Sequence, residues 1–461
     1  MISTPVIAIF DVGKTNKKLL LFDEHYKVVH EEQRQLQEKK DEDGFPCEDI
    51  YALTQWIKDS FDRLLKDDRY DIKAVNFSGY GASFVYLDVQ LNVLLPLYNY
   101  LKPYSEKLKE KFYNTYGGES YFSKQTASPV LGNLNSGMQL YRLKYEKPAA
   151  FAKIKYALHL PQYLSFILSG KLSSDITSIG CHTNLWDFQN NQYHTWVKKE
   201  GIDIKLPAVM NCDEIAGYII ETIPAGIGLH DSSAALIPYS ISFNEPFILL
   251  STGTWCISLN PFNNSELSEA ELQQDCLSYL SYKGKPVKAS RLFAGYEHEL
   301  QTKKLSEHFN KPLDFYRGMH FDFKIIDKIK SVENFSEGEL KEPMVQQSAF
   351  NAGSLSRFEN YQAAYHQLIT DIITRQIQST NLVLRGTDVK RIFVDGGFSN
   401  NSIYMNLLAE AFPNIEVYAA SVPQASALGA ALVMHKHWNE NDLPSDIIDL
   451  KLYSPGRNTA L

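Results

Sequence analysis

The chain has 461 residues, a net charge of −8, and a make-up of 44% apolar, 22% charged and 12% aromatic residues. That length exceeds the usual reach of one hydrophobic core and points to two large lobes, and the composition is that of a globular protein rather than a disordered one. The acidic balance excludes broad binding to a nucleic-acid backbone, which needs clustered Lys and Arg, but leaves room for a nucleotide held through backbone amides.

Val6 to Phe10 is a short apolar run ending in Asp11-Val12-Gly13. Lys14 to Lys18 follow, and then a second apolar run from Leu19 to Phe22. The pattern predicts a β-hairpin with a polar turn. The residues ahead of it lack a basic stretch, and the apolar run is too short for an exported leader or a membrane span, so a cytoplasmic protein without a membrane partner is expected. Helical spacing runs from Asp49 to Leu65, and Ala74 to Gly79 reads as a strand entering a glycine loop. Leu158 to Leu168 predicts a helix that begins near Pro161 and stops at Ser169-Gly170. Strands and helices alternate, which defines an α/β protein.

The pattern restarts after Ile237-Pro238-Tyr239-Ser240. Phe247 to Leu250 is a strand, Ser251-Thr252-Gly253-Thr254 a polar turn, and Trp255 to Leu259 a second strand. This echo of the first hairpin predicts two lobes built alike, residues 1–240 and 241–461, joined by a hinge near residues 238–245. Tyr361 to Leu384 is a long helical segment, and Arg391 to Val394 is a strand ending in Asp395-Gly396-Gly397. Gln424 to Ala431 opens a small-residue helix able to pack closely on a strand. The cysteines, at 47, 181, 212, 256 and 276, are scattered and form no C-x-x-C pair, so reduced thiols are expected.

A phosphate site needs backbone N–H groups turned inward, which glycine permits. The loops at 11–16, 251–254 and 395–398 have that character, although neither a Walker loop nor a Gly-x-Gly-x-x-Gly fingerprint occurs. Each loop alone reads equally as a hairpin turn; the three in order point to a nucleotide. Asp11 ends a strand beside Lys14, Thr15, Asn16, Lys17 and Lys18, and a carboxylate facing phosphates needs a metal between them, so its natural role is to hold Mg²⁺ through water. The lysines serve phosphates or simply solvate a turn. His230-Asp231-Ser232-Ser233 follows two glycines and precedes small residues. Asp231 there is either a helix cap or a general base.

Five ordered motifs carry a wider resemblance: Asp-Val-Gly-Lys-Thr-Asn at 11–16, Gly-Leu-His-Asp-Ser-Ser at 228–233, Leu-Ser-Thr-Gly-Thr-Trp at 250–255, Asp-Gly-Gly-Phe-Ser-Asn-Asn at 395–401 and Gln-Ala-Ser-Ala-Leu-Gly-Ala-Ala at 424–431. With these the chain resembles the FGGY carbohydrate kinases, whose two lobes have the ribonuclease-H-like fold of hexokinase and actin with a cleft between them. The resemblance implies ATP, Mg²⁺ and a sugar as ligands, with Asp231 as proton acceptor and Asp11 toward the metal. It implies ATP contacts at Lys14, Thr15, Asn16, Lys17 and Lys18, at Thr252, Gly253 and Thr254, and at Gly396 and Gly397 beside adenine.

Within that family the His-Asp pair and the Ser-Thr-Gly-Thr-Trp loop look most like the rhamnulokinase and fuculokinase branch. By similarity, Gly81, Ser83, His230 and Ser232 would touch the sugar, with Asp175 and His182 near the same cleft. L-Rhamnulose is the expected acceptor, L-fuculose or another ketose or polyol the alternatives, and a non-catalytic sugar sensor the alternative of another class. The implied assembly is a monomer or homodimer. Two segments depart from the branch. Tyr80-Gly81-Ala82-Ser83 stands where Trp-Gly-Val-Asp is usual, and Tyr98-Asn99-Tyr100-Leu101-Lys102 replaces an Arg-Asp-x-Arg segment.

Overall fold

In chain order, the first hairpin is β1 (Thr4–Val12) and β2 (Lys17–Asp23), extended by β3 (Val28–Arg34). Helix α1 (Ile50–Leu64) begins where the Asp49 carboxylate accepts the Ala52 N–H at 3.1 Å, and it buries Ile50, Leu53, Ile57, Phe61 and Leu64 along one face. That stripe packs on Val6, Ala8 and Phe10 of β1, with Trp56 edge-on to Phe10 at 5.6 Å. Burying each such large side chain contributes roughly 1.5–3 kcal/mol. Strand β4 (Tyr70–Gly79) and helix α2 (Leu160–Ser169) follow, and α2 stops at Gly170 in the left-handed conformation, as its sequence requires. Strands β5 (Ile215–Ile219), β6 (Ile223–Gly226) and β7 (Leu229–His230) lead into the short helix α3 (Asp231–Ala235). The expected hinge near residues 238–245 begins inside a further helical turn, Ile237–Ser242.

The second half begins with the hairpin of β8 (Phe247–Thr252) and β9 (Cys256–Asn260). Next come β10 (Cys276–Leu280), β11 (Pro286–Leu292), α4 (Ala294–His308) and the 24-residue α5 (Tyr361–Leu384), capped by Asn360. Strands β12 (Arg391–Gly396) and β13 (Glu416–Ser421), helix α6 (Ala425–Leu432) and β14 (Asp449–Tyr453) complete it. The computed structural model describes residues 3–332, 350, 354–422 and 424–454. Among them no helix is long and apolar enough to cross a membrane.

Two compact units result: Met1–Ser242 with Ser278–Pro286 and Pro423–Ile447, and Phe243–Leu277 with Val287–Val422 and Ile448–Leu461. A single cut near residue 240 therefore misplaces two segments. Helix α6 belongs to the first unit because Gly429 lies so close to Ala234 that a β-carbon would sit 1.9 Å from its carbonyl oxygen. Asn76 of β4 also donates to the Ala430 carbonyl at 2.8 Å.

The first sheet runs β5-β6-β4-β1-β2-β3 with β7 also on β4, and the second runs β10-β11-β9-β8-β12-β13-β14. Each is built round the same arrangement. A three-stranded antiparallel meander, β1-β2-β3 or β8-β9-β11, is continued by two parallel strands, β4 and β6 or β12 and β13. The two similar hairpin turns seen in the sequence thus open two similarly wound units.

Candidate active site

Register decides which carboxylates meet. Asp11 of β1 pairs with Ser78 of β4, Ser78 pairs with Leu229 of β7, and Val12, Gly79 and His230 follow in the next row. All three strands are parallel, so Asp11 and Asp231 emerge at the same edge of the sheet, the C-terminal edge where α/β proteins place ligands. Asp11 retains some solvent contact but is set deep among protein atoms. Its pKa rises from 3.8 to about 6, mainly through burial; the Ser426 and Ser78 hydroxyls oppose that rise and the charge of Asp231 adds to it. Ser426 of α6 donates to Asp11 Oδ2 at 2.9 Å.

At Asp231 every contact falls on Oδ1: the Ser232 N–H at 2.6 Å, the Ser232 hydroxyl at 3.2 Å and His230 Nε2 at 3.3 Å. Oδ2 carries no such contact among the described residues. His230 lies buried under Gly81, where a β-carbon would come within 2.8 Å of the imidazole. Burial lowers the pKa of His230, opposed by Asp231 and Asp175, so the ring is held toward its neutral form. Its Nδ1 faces Ser233 Oγ at 3.3 Å, and its plane meets those of His182 and Tyr279 edge-on.

The lysines of the first turn separate by strand alternation. Lys18 lies opposite Asp11 across the hairpin, on its face of the sheet, and reaches Gln424 at 2.7 Å and Glu31 at 3.3 Å. Lys14 is half-buried against Glu38 at 2.9 Å, Thr15 is exposed, and Asn16 accepts from Gln35 at 3.0 Å while its carbonyl closes the turn onto the Gly13 N–H. Lys17 departs from the expected phosphate role. It pairs with Val12 on the opposite face, among Leu19 and Leu21, where Glu48 neutralises it at 2.7 Å.

Of the residues expected to touch a sugar, Gly81 and Ser232 join the His230-Asp231 group, whereas Ser83 is buried and its hydroxyl has no partner among the described residues. Asp175 is wholly buried and occupied: it caps the turn 176–179 through the Thr177 and Ser178 amides and accepts from Thr177 Oγ1 and Cys212 Sγ. Lys102, in the segment replacing Arg-Asp-x-Arg, is tied to Asp41 and Asp43 at 2.5 Å each. Tyr100 of that segment lies in the field of Asp231. The sequence singled out the segments holding Tyr100 and Ser426 without assigning either residue a contact, and it gave no sign of Tyr279. Ser426 belongs to a recognisable motif, but nothing local marks Tyr279, which reaches His230 from the second half of the chain.

In the second unit Thr252 and Gly396 are register partners on parallel strands. The Thr252 hydroxyl donates to the Asp395 carbonyl at 2.5 Å and accepts the Phe398 N–H at 3.0 Å, so it ties two glycine loops together. Gly396 has φ +85°, and a β-carbon there would lie 2.0 Å from the Thr252 carbonyl oxygen. Gly397 faces open space and, with Thr252 and Gly253, borders a cavity of about 590 Å³ that His298, Tyr316 and Asn401 also line. That volume is in the range of small-molecule sites. Thr254 and Gly396 do not line the cavity; the Thr254 carbonyl instead accepts from the Tyr296 N–H at 3.1 Å. Burial lowers His298 to about 4, leaving a neutral ring 2.9 Å from the Tyr365 hydroxyl.

Two similarly wound units, one with an acidic sheet edge and the other with a glycine-rimmed cavity, define the two-lobed actin-like ATPase fold. The chain belongs to the FGGY family of carbohydrate kinases: the family's N-terminal domain matches residues 6–237 and its C-terminal domain models match 244–322 and 361–436. A rhamnulokinase of Halalkalibacterium halodurans is 26% identical over 259 residues, covering 53% of this chain and 52% of that protein. The chain thus spans about half the length of that curated relative. A probable L-xylulose kinase of Pasteurella multocida is 24% identical over 323 residues, 65% of this chain and 63% of that one. A carbohydrate kinase from Novosphingobium aromaticivorans has the same fold, with a TM-score of 0.79 at 22% identity over 98% of this chain and 95% of that one.

Proposed function

We propose that this protein is an ATP-dependent sugar kinase that phosphorylates a primary hydroxyl of a ketose, with L-rhamnulose the first candidate. The observation that carries this reading is the pairing of Asp11 and Asp231 at one sheet edge, each with one carboxylate oxygen held by a hydroxyl. The curated relatives favour a ketose. L-Fuculose and L-xylulose are the alternatives to test beside it.

Asp231 receives the proton of the acceptor hydroxyl on Oδ2, because Ser232 and His230 fix Oδ1 and so fix the orientation of the carboxylate. A neutral His230 adds no competing positive charge there. The acceptor hydroxyl is oriented before transfer, and the proton leaves late, since phosphoryl transfer passes through a loose transition state that needs positioning more than a strong base. Lys18 brings positive charge to the Asp11 face, and the cavity beside Gly397 suits the adenine base.

Asp11 suits a hard divalent cation. Burial makes its carboxylate expensive to ionise and the charge of Asp231 adds to that cost, a conflict that a cation relieves, and Mg²⁺ typically takes one or two carboxylates together with water and phosphate oxygens. When bound, Mg²⁺ would neutralise charge on the transferring phosphate.

ATP consumption by the purified protein, measured with a panel of pentuloses, hexuloses and polyols, tests the reading. Sugar-dependent ADP release is expected, with the highest kcat/KM for L-rhamnulose. Hydrolysis indifferent to sugar, or binding of sugar without turnover, would overturn it.

A further inference from the structure

Lys17 and Glu48 form an ion pair at 2.7 Å with side chains only 2% and 3% exposed. Burying two charges costs several kcal/mol of desolvation per ion, and apolar residues of similar size commonly do as well or better for stability. The pair's other contacts show what it secures. Lys17 Nζ also donates to the Lys14 carbonyl at 3.0 Å, in the first glycine loop, while Glu48 Oε2 accepts from the Tyr80 hydroxyl at 3.4 Å. Tyr80 donates its backbone N–H to the Val12 carbonyl at 3.1 Å and packs edge-on against Tyr100 at 6.3 Å, and Tyr100 lies in the field of Asp231.

We propose that Lys17 and Glu48 are positioning residues that hold the phosphate-side loop 13–16 and the sugar-side Tyr80-Gly81 loop in fixed relation, so that both substrates are bound by one preset frame. The proposal rests on the kinase reading for its kinetic consequence. Its structural content stands apart from that reading: removing the pair should loosen both loops even in the unliganded protein. Lys17 reaches the loop through the Lys14 carbonyl and Glu48 reaches the sugar side through Tyr80, and neither needs to touch a substrate.

The test compares Lys17→Met, Glu48→Gln and the double variant Lys17→Met with Glu48→Leu by thermal melting, amide hydrogen exchange without ligands, and steady-state kinetics. Each single variant leaves one buried group without its partner and is expected to lose stability, whereas the apolar pair should melt within a few degrees of the native protein. Amides at 13–16 and 80–83 should nonetheless exchange about tenfold faster in the double variant, with KM for ATP and for sugar both raised about five- to tenfold. A purely structural pair would lower only the amount of folded enzyme, so Vmax would fall at constant KM, and the double variant would regain native exchange and kinetics; that result overturns the proposal. Should the double variant not fold, Tyr80→Phe, which removes only the hydroxyl that reaches Glu48 and leaves the ion pair intact, supplies the comparison, and native exchange at 80–83 with a native sugar KM there overturns the proposal equally. The exchange data need no turnover, so an absence of sugar-dependent ATP consumption in the native protein would strike the kinase reading while leaving the loop-locking result to stand or fall on its own.

Discussion

Ser426 donates its hydroxyl to Asp11 Oδ2 across 2.9 Å, joining α6 to a carboxylate 415 positions earlier in the chain. The bond only partly offsets the burial of Asp11. Because the folded state raises this carboxyl from 3.8 to about 6, the folded protein holds the proton more tightly than the unfolded chain does. Stability from this group is greatest below pH 3.8 and declines as pH rises to 6, so above that the ionised group costs about 3 kcal/mol. Asp11→Asn is expected to raise the melting temperature of the ligand-free protein at pH 8, by a margin that shrinks toward pH 4, and to abolish Mg²⁺-dependent turnover with nucleotide affinity largely kept. Melting curves across pH with nucleotide titrations check this; an equal or lower Tm at pH 8 would contradict it.

Asp231→Asn keeps the size and the Oδ1 contacts of the side chain but removes its capacity to take a proton. The variant is expected to fold, to bind ATP and sugar within a few fold of native affinity, and to lose kcat by roughly 10²- to 10⁴-fold, or about 3–5 kcal/mol of barrier. Calorimetric titration of both ligands beside steady-state rates decides it. Near-normal turnover would assign the proton to another group.

Neighbouring glycines at 396 and 397 should answer differently to the same change. Gly396→Val places a branched side chain at φ +85° and against the Thr252 carbonyl, so loss of folding is expected. Gly397→Val meets open space, folds normally, and should weaken nucleotide binding by narrowing the cavity. Tm and nucleotide affinity separate the two, and unchanged affinity in folded Gly397→Val would remove that residue from the site.

Ser83 has a buried hydroxyl without a partner among the described residues. Ser83→Ala should therefore hold stability within about 1 kcal/mol of native while raising KM for the sugar a few fold. Ser83→Asp, the acid of the rhamnulokinase pattern, would put an unpaired charge in an enclosed place and is expected to destabilise the fold by several kcal/mol. A native sugar KM in Ser83→Ala would make the hydroxyl an internal feature.

Local order was largely written in the sequence. The α5 helix follows from helical spacing from Tyr361 to Leu384, α2 from Pro161 and Gly170, and both hairpins from apolar runs around polar turns, because capping, φ restriction and side-chain periodicity act over a few residues. The five motifs likewise marked Asp11, Asp231 and the glycine loops. Other features depended on where distant strands and helices came together. Strand alternation in the folded hairpin turned Lys17 away from Lys18, register across β1, β4 and β7 set Asp11 and Asp231 at one sheet edge, and the 278–286 hairpin brought Tyr279 to His230. These are long-range relations in which packing and charge burial choose the partner, and a chain read in order carries no local mark of a partner hundreds of residues away.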